Sequence, residues 1–230
     1  MKQPFQNACK IILAFIILNF VGIAGFSQFQ NESQIKHKDP PTPIEAFFYN
    51  GGMNYQATAK KAFDSNARFN FFSLATYTTE FKNQPTSNRM VIEAQVSYSL
   101  KNGLGMMVGT DVNNVTGFST IIGPQHSFAS KKLLAVTIVS FFLNARNDCK
   151  LFGLYEFKPT ISQKYTMYNR LQFLYNQSLK DGLHNRSYLN IRSGIKYKAF
   201  VAGLGINFDQ FGPTKMYSYD FGLFTRWEFK

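Results

Sequence analysis

From residue 68 onward, apolar and polar side chains take turns along the chain. The clearest case is 89–101, where Met90, Ile92, Ala94, Val96, Tyr98 and Leu100 fall on one side and Glu93, Gln95, Ser97, Ser99 and Lys101 on the other. Alternate residues of a β-strand point to opposite faces, so this period of two predicts a strand with one apolar and one polar side. The same reading predicts strands over 68–81, 104–122, 132–144, 150–159, 164–178, 186–198, 200–210 and 217–229. Asn102-Gly103 predicts a tight hairpin, because both residues tolerate the positive φ of a two-residue turn. Gly123-Pro124, Lys180-Asp181-Gly182 and Gly212-Pro213 predict breaks.

Two stretches leave the strand count open. Residues 45–57, with Phe47, Phe48 and Tyr49 ahead of Asn50-Gly51-Gly52, form either a first strand or a segment tucked into the mouth of the sheet. Residues 104–122 are one long strand or two strands folded at Asn113-Asn114. Either route raises the nine clear segments to an even number, ten; eight and twelve are the alternatives.

Ahead of the strands, Lys2 and Lys10 precede an apolar run over 11–26 that ends on small residues, Gly25 and Ser27. This order predicts a secretory signal peptide over 1–27, cleaved near Ser27/Gln28, since the run is shorter than the roughly 20 residues of a spanning helix. Residues 28–60 predict a flexible leader that holds the extra strand or a plug; Asp39-Pro40-Pro41-Thr42-Pro43 lacks ladder donors at its prolines. The sheet itself is assigned to 61–230. Loss of Lys2 and Lys10 takes the formal charge from +12 to +10, with no acidic residue in the removed part. Only Cys149 would remain of the two cysteines, so no internal disulfide stabilises the mature chain.

Alternation does not say whether the apolar side meets a protein core or lipid. Strands of 11 residues or more match the tilted 9–11 residues that cross a bilayer and exceed the typical soluble strand. Tyr165, Tyr175, Tyr197, Tyr219, Trp227 and Phe229 gather at strand ends, where interfacial girdles sit. Sliding 186–198 by one residue would place Arg192 and Lys196 in hydrocarbon at about 2–4 kcal/mol each. The final strand, with Tyr219, Phe221, Leu223, Thr225, Trp227 and Phe229 on one face, resembles the closing strand of Gram-negative outer-membrane β-barrels, porin-like proteins among them. Lys230 after the last aromatic departs from that pattern. The resemblance implies an all-β, up-and-down antiparallel transmembrane barrel of about ten strands, delivered to the outer membrane by the barrel-assembly machinery and surrounded by outer-membrane lipids. Tyr219, Phe221, Trp227 and Phe229 would be the assembly signature.

With lipid outside, the lumen receives Glu93, Glu156, Arg170, Arg192, Lys196, Arg226 and Glu228, and an apolar patch of Leu134, Val136, Ile138, Phe142, Phe152 and Leu154. Mixed signs predict either cross-strand pairing that fills the barrel or a narrow pore biased toward anions. The apolar wall beside a basic one admits an amphipathic acidic ligand, a tucked-in Phe47-Phe48-Tyr49 segment, or an envelope protein partner. Three functions follow: a narrow channel, a closed structural or accessory subunit of an outer-membrane complex, and a lipid-modifying enzyme. For the last, only the loop His184, with Ser187 and Asp181, offers a base beside a nucleophile. His126 and Cys149 read as loop residues. No cofactor fingerprint, metal-ligand spacing or nucleotide loop is present, and the basic pairs Lys60-Lys61 and Lys131-Lys132 read as membrane-interface charge rather than nucleic-acid contacts.

Overall fold

The computed structural model describes residues 40–63, 68–82 and 88–229. The expected signal peptide, residues 28–39 of the expected leader, and Lys230 lie outside them. Twelve strands run in chain order: β1 (Thr42–Tyr49), β2 (Gly52–Ala62), β3 (Phe69–Glu80), β4 (Arg89–Ser99), β5 (Leu104–Asn113), β6 (Gly117–Ala129), β7 (Leu133–Phe142), β8 (Asp148–Phe157), β9 (Tyr165–Ser178), β10 (His184–Tyr197), β11 (Phe200–Phe211) and β12 (Met216–Phe229). Each pairs antiparallel with its chain neighbour, and β1 pairs with β12 to close the barrel. Closure leaves no unpaired edge.

Twelve strands replace the favoured ten, because both open stretches divide. Residues 42–62 supply two strands, turning at Asn50-Gly51, so the barrel begins at Thr42 and not at residue 61. Residues 104–129 supply another pair; Asn113 Oδ1 accepts from the backbone N–H groups of Val115 and Thr116 and Gly117 takes a positive φ, which fixes the turn. Gly123-Pro124 does not end a strand: both lie inside β6, where pairing with β7 skips them and resumes in the same register at Gln125↔Ile138. Proline has no N–H to give the ladder, so the gap is local. Asn102-Gly103 forms the expected hairpin, both with positive φ.

The alternation sorts side chains between an outer and an inner surface. Ile92, Val96, Val108, Leu204, Phe221, Leu223 and Trp227 are exposed on the outside, while their chain neighbours Glu93, Gln95, Met107, Gly205, Phe224 and Arg226 are buried within. Aromatic residues crowd both rims: Phe69, Tyr98, Tyr165, Tyr197, Phe200 and Trp227 toward the chain ends, and Tyr77, Phe118, Phe141, Tyr217 and Tyr219 toward the opposite one. An apolar outer band between aromatic rings, around a charged interior, is the facing of a membrane-spanning β-barrel. Among the described residues no helix is long and apolar enough to cross a membrane.

Candidate functional site

The interior has two unlike walls. One is apolar: Phe72, Leu74, Met107, Ile121, Val136, Ile138, Phe142, Phe152 and Leu154 form one buried cluster, with Leu134 packed against it. These come from β3 and β5–β8, and the Phe72 and Phe152 rings, from strands that are not neighbours, approach to 6.4 Å across the lumen. Phe47 is not part of this cluster. Its ring lies on β1 with Tyr168, Val201 and Phe224 in a second group, so the 47–49 segment forms wall rather than plug.

The other wall, from β1, β2 and β8–β12, carries charged and polar side chains at every level, with the Phe47, Tyr168, Val201 and Phe224 group set among them. At mid-height Glu45 Oε1 accepts from Arg170 Nη2 at 2.6 Å and from Arg192 Nε at 3.0 Å. Arg192 also donates to Asn207 Oδ1 at 2.8 Å, and its guanidinium stands 4.0 Å over the Phe47 ring. Gly205 makes room for it: a Cβ there would sit 2.8 Å from both Arg192 Cδ and Phe47 Cε2. Toward the rim with the chain ends, Arg226 bridges Glu156 at 2.8 Å and Glu228 at 3.3 Å, and Tyr168 donates to Glu156. Lys158 pairs with Glu156 at 2.7 Å, and Lys196 pairs with Glu228. Toward the opposite rim Gln56 donates to Gln172 across the lumen at 3.1 Å, followed by Arg186 paired bidentately with Asp209. Arg89 reaches the same carboxylate at 3.7 Å, and both guanidiniums lie on the Phe211 ring.

A separate triad crosses the lumen deeper in, where Lys150 meets Glu93 at 2.5 Å and Asp111 at 2.8 Å. Beside it, Asn54, Gln56, Arg89, Gln172, Arg186 and Tyr188 line a small vestibule toward the rim opposite the chain ends. Its volume is about 50 Å³, well under the roughly 300–1,000 Å³ of usual ligand pockets. A solute larger than a few waters does not fit this vestibule unless its side chains move.

The structure buries Glu93, Glu156, Arg170, Arg192, Arg226 and Glu228 inside and leaves Lys196 half-buried. Sequence reasoning missed Glu45, Asp111, Lys150, Arg89 and Arg186 as members of these networks. The signal for Glu45 was present in Glu45, Phe47 and Tyr49 alternating with Ile44, Ala46 and Phe48, but the prolines ahead of it favoured a leader. His184 is no loop residue: it opens β10 and is buried, with Nδ1 2.8 Å from the Gly212 carbonyl and Nε2 3.0 Å from Ser187 Oγ. Asp181 is not among its partners, so the expected three-residue set does not assemble. His126 lies in β6, and Cys149 in β8 is buried on the outer face with Val139 and Leu151. Among the described residues no cluster of His, Cys, Asp or Glu has metal-site geometry.

These features define a closed antiparallel β-barrel with a membrane-facing exterior and a charge-filled lumen. No protein-family profile matches the chain, and no curated protein matches it. In shape it is similar to a KdgM porin, over 82% of this chain and 99% of that one, at TM-score 0.46 and 11% identity. It is likewise similar to a NanC porin, over 82% and 99%, at TM-score 0.49 and 10% identity. A third similar structure is OmpT, an outer membrane protein of Vibrio cholerae, over 86% and 100%, at TM-score 0.37 and 7% identity.

Proposed function

We propose that the protein is an integral outer-membrane β-barrel serving as a narrow, mostly closed channel for small polar anions. One observation carries this reading: charged side chains recur on this wall from rim to rim, and along it cations outnumber the carboxylates they pair with. Arg89 and Arg186 share Asp209, Arg170 and Arg192 share Glu45, and Arg226, Lys158 and Lys196 share Glu156 and Glu228. Surplus positive charge on a pore wall favours anions. Glu45 Oε2, Arg170 Nε and Nη1, and Arg226 Nε are buried and make no hydrogen bond among the described residues, which leaves them open to water or to a passing solute.

A second reading, a closed structural or accessory barrel, draws on a different observation. Opposite sides of the barrel meet through Gln56–Gln172 and Phe72–Phe152, and Phe47 and Tyr168 are 0% exposed. Planar-bilayer recording on refolded protein under a salt gradient separates the two. The channel reading expects small unitary currents with an anion-selective reversal potential, and a larger current for Gln56→Ser. Inserted protein that stays silent in both forms leaves the closed barrel. Neither reading assigns catalysis, and His184→Ala is expected to leave membrane lipids unhydrolysed and the currents unchanged.

A further inference from the structure

On the outer wall, four strands place Leu133, Phe157, Asn169 and Ser193 in one paired row: Leu133↔Phe157, Phe157↔Asn169 and Asn169↔Ser193. This row borders a groove of about 260 Å³ whose floor includes Leu171 and Ile191. The groove is open to the face that the apolar band turns toward lipid, yet it holds a polar pair, with Ser193 Oγ donating to Asn169 Oδ1 at 3.0 Å. The Asn169 amide N–H groups make no hydrogen bond among the described residues. Polar side chains on a hydrocarbon-facing surface are costly and mark sites of use. One residue beyond Leu133, the β6–β7 turn presents Lys131 and Lys132, both exposed and unpaired among the described residues. With strands about 4.8 Å apart, Lys132 lies roughly 10 Å from Asn169. Around this rim Lys61, Arg68, Lys101, Lys164 and Lys198 are also exposed, and among the described residues no exposed carboxylate joins them.

We infer that this groove is a binding site for one anionic phospholipid. Its phosphate meets Lys131 and Lys132, its glycerol ester oxygens accept from the Asn169 amide, and an acyl chain lies over Leu171 and Ile191. Charge complementarity selects the occupant, since each lysine at the membrane surface attracts an anionic headgroup, whereas a zwitterionic lipid offers the same tails without the net charge. The site rests on the membrane-barrel reading above.

Native mass spectrometry of the refolded barrel in detergent, with equimolar phosphatidylglycerol and phosphatidylcholine of identical chains, tests it. Phosphatidylglycerol should be retained about thirtyfold over phosphatidylcholine, the combined effect of two lysines. The double variant Lys131→Ala, Lys132→Ala should remove that preference, and Asn169→Leu should weaken retention of both lipids several-fold while the folded band on unheated gels stays unchanged. Equal retention of the two lipids by the unaltered protein, or variants that bind as it does, overturns the site while leaving the barrel reading intact. Failure of the protein to insert into liposomes sinks the barrel reading and the site together.

Discussion

Glu45 is a buried carboxylate that two arginines share inside the barrel. It is 2% exposed, its carboxylate holds two guanidiniums, and it ties β1 to β9 and β10 across the lumen. Replacing Glu45 with Gln would leave Arg170 and Arg192 buried without a counter-charge, a loss of about 3–5 kcal/mol when one member of a buried pair goes. Urea unfolding in phosphatidylcholine vesicles should show the midpoint falling accordingly; a shift under about 1 kcal/mol would mean that water already shields these groups. Gly205→Ala should also destabilise, by about 1–3 kcal/mol, because the new methyl meets Arg192 and Phe47. The facing of Arg170, Arg192 and Arg226 was legible from alternation alone. Their partners were not, since Glu45 lies 125 and 147 residues from Arg170 and Arg192, and only barrel closure brings them together.

Among the elements, β1 shows where periodicity stops informing. It has eight residues, fewer than any other strand, and Pro43 stands second, opposite Glu228 of β12. Proline is tolerated near the start of a strand, where a ladder donor is least needed. The same residue type argued for a leader when only the sequence was read. In β6 the converse holds, as Pro124 lies mid-strand and the ladder to β7 simply skips it. Deleting residues 42–49 would leave β2 and β12 with unpaired edges, an aggregation hazard. Such a deletion should abolish the fast-migrating folded band on unheated gels, and its persistence would show that β2 and β12 can pair directly.

At the scale of the whole molecule, the outer face decides the environment. Val108 stands in the middle of β5, 55% exposed, between Val96 and Ile122 on the neighbouring strands. Val108→Arg should cost about 2–4 kcal/mol in vesicles, the penalty for a cation near the bilayer midplane. A cost near zero would place this face in water. The strand number escaped sequence reading for a reason that belongs to this scale: alternation fixes facing within a strand but carries no information on where one strand stops and the next begins. That depends on turns such as Asn113 to Gly117, held by the Asn113 side chain through both its oxygen and its amide nitrogen.

The pairing of Thr42 with Phe229 sets the two terminal strands side by side at one rim. A ring whose ends already touch has no privileged starting strand. A short peptide linking those ends, with the chain cut instead inside another hairpin at the same rim, would trace an identical set of ladders. The order in which the strands leave the ribosome is therefore not written into the finished wall, and circular permutation is geometrically permitted.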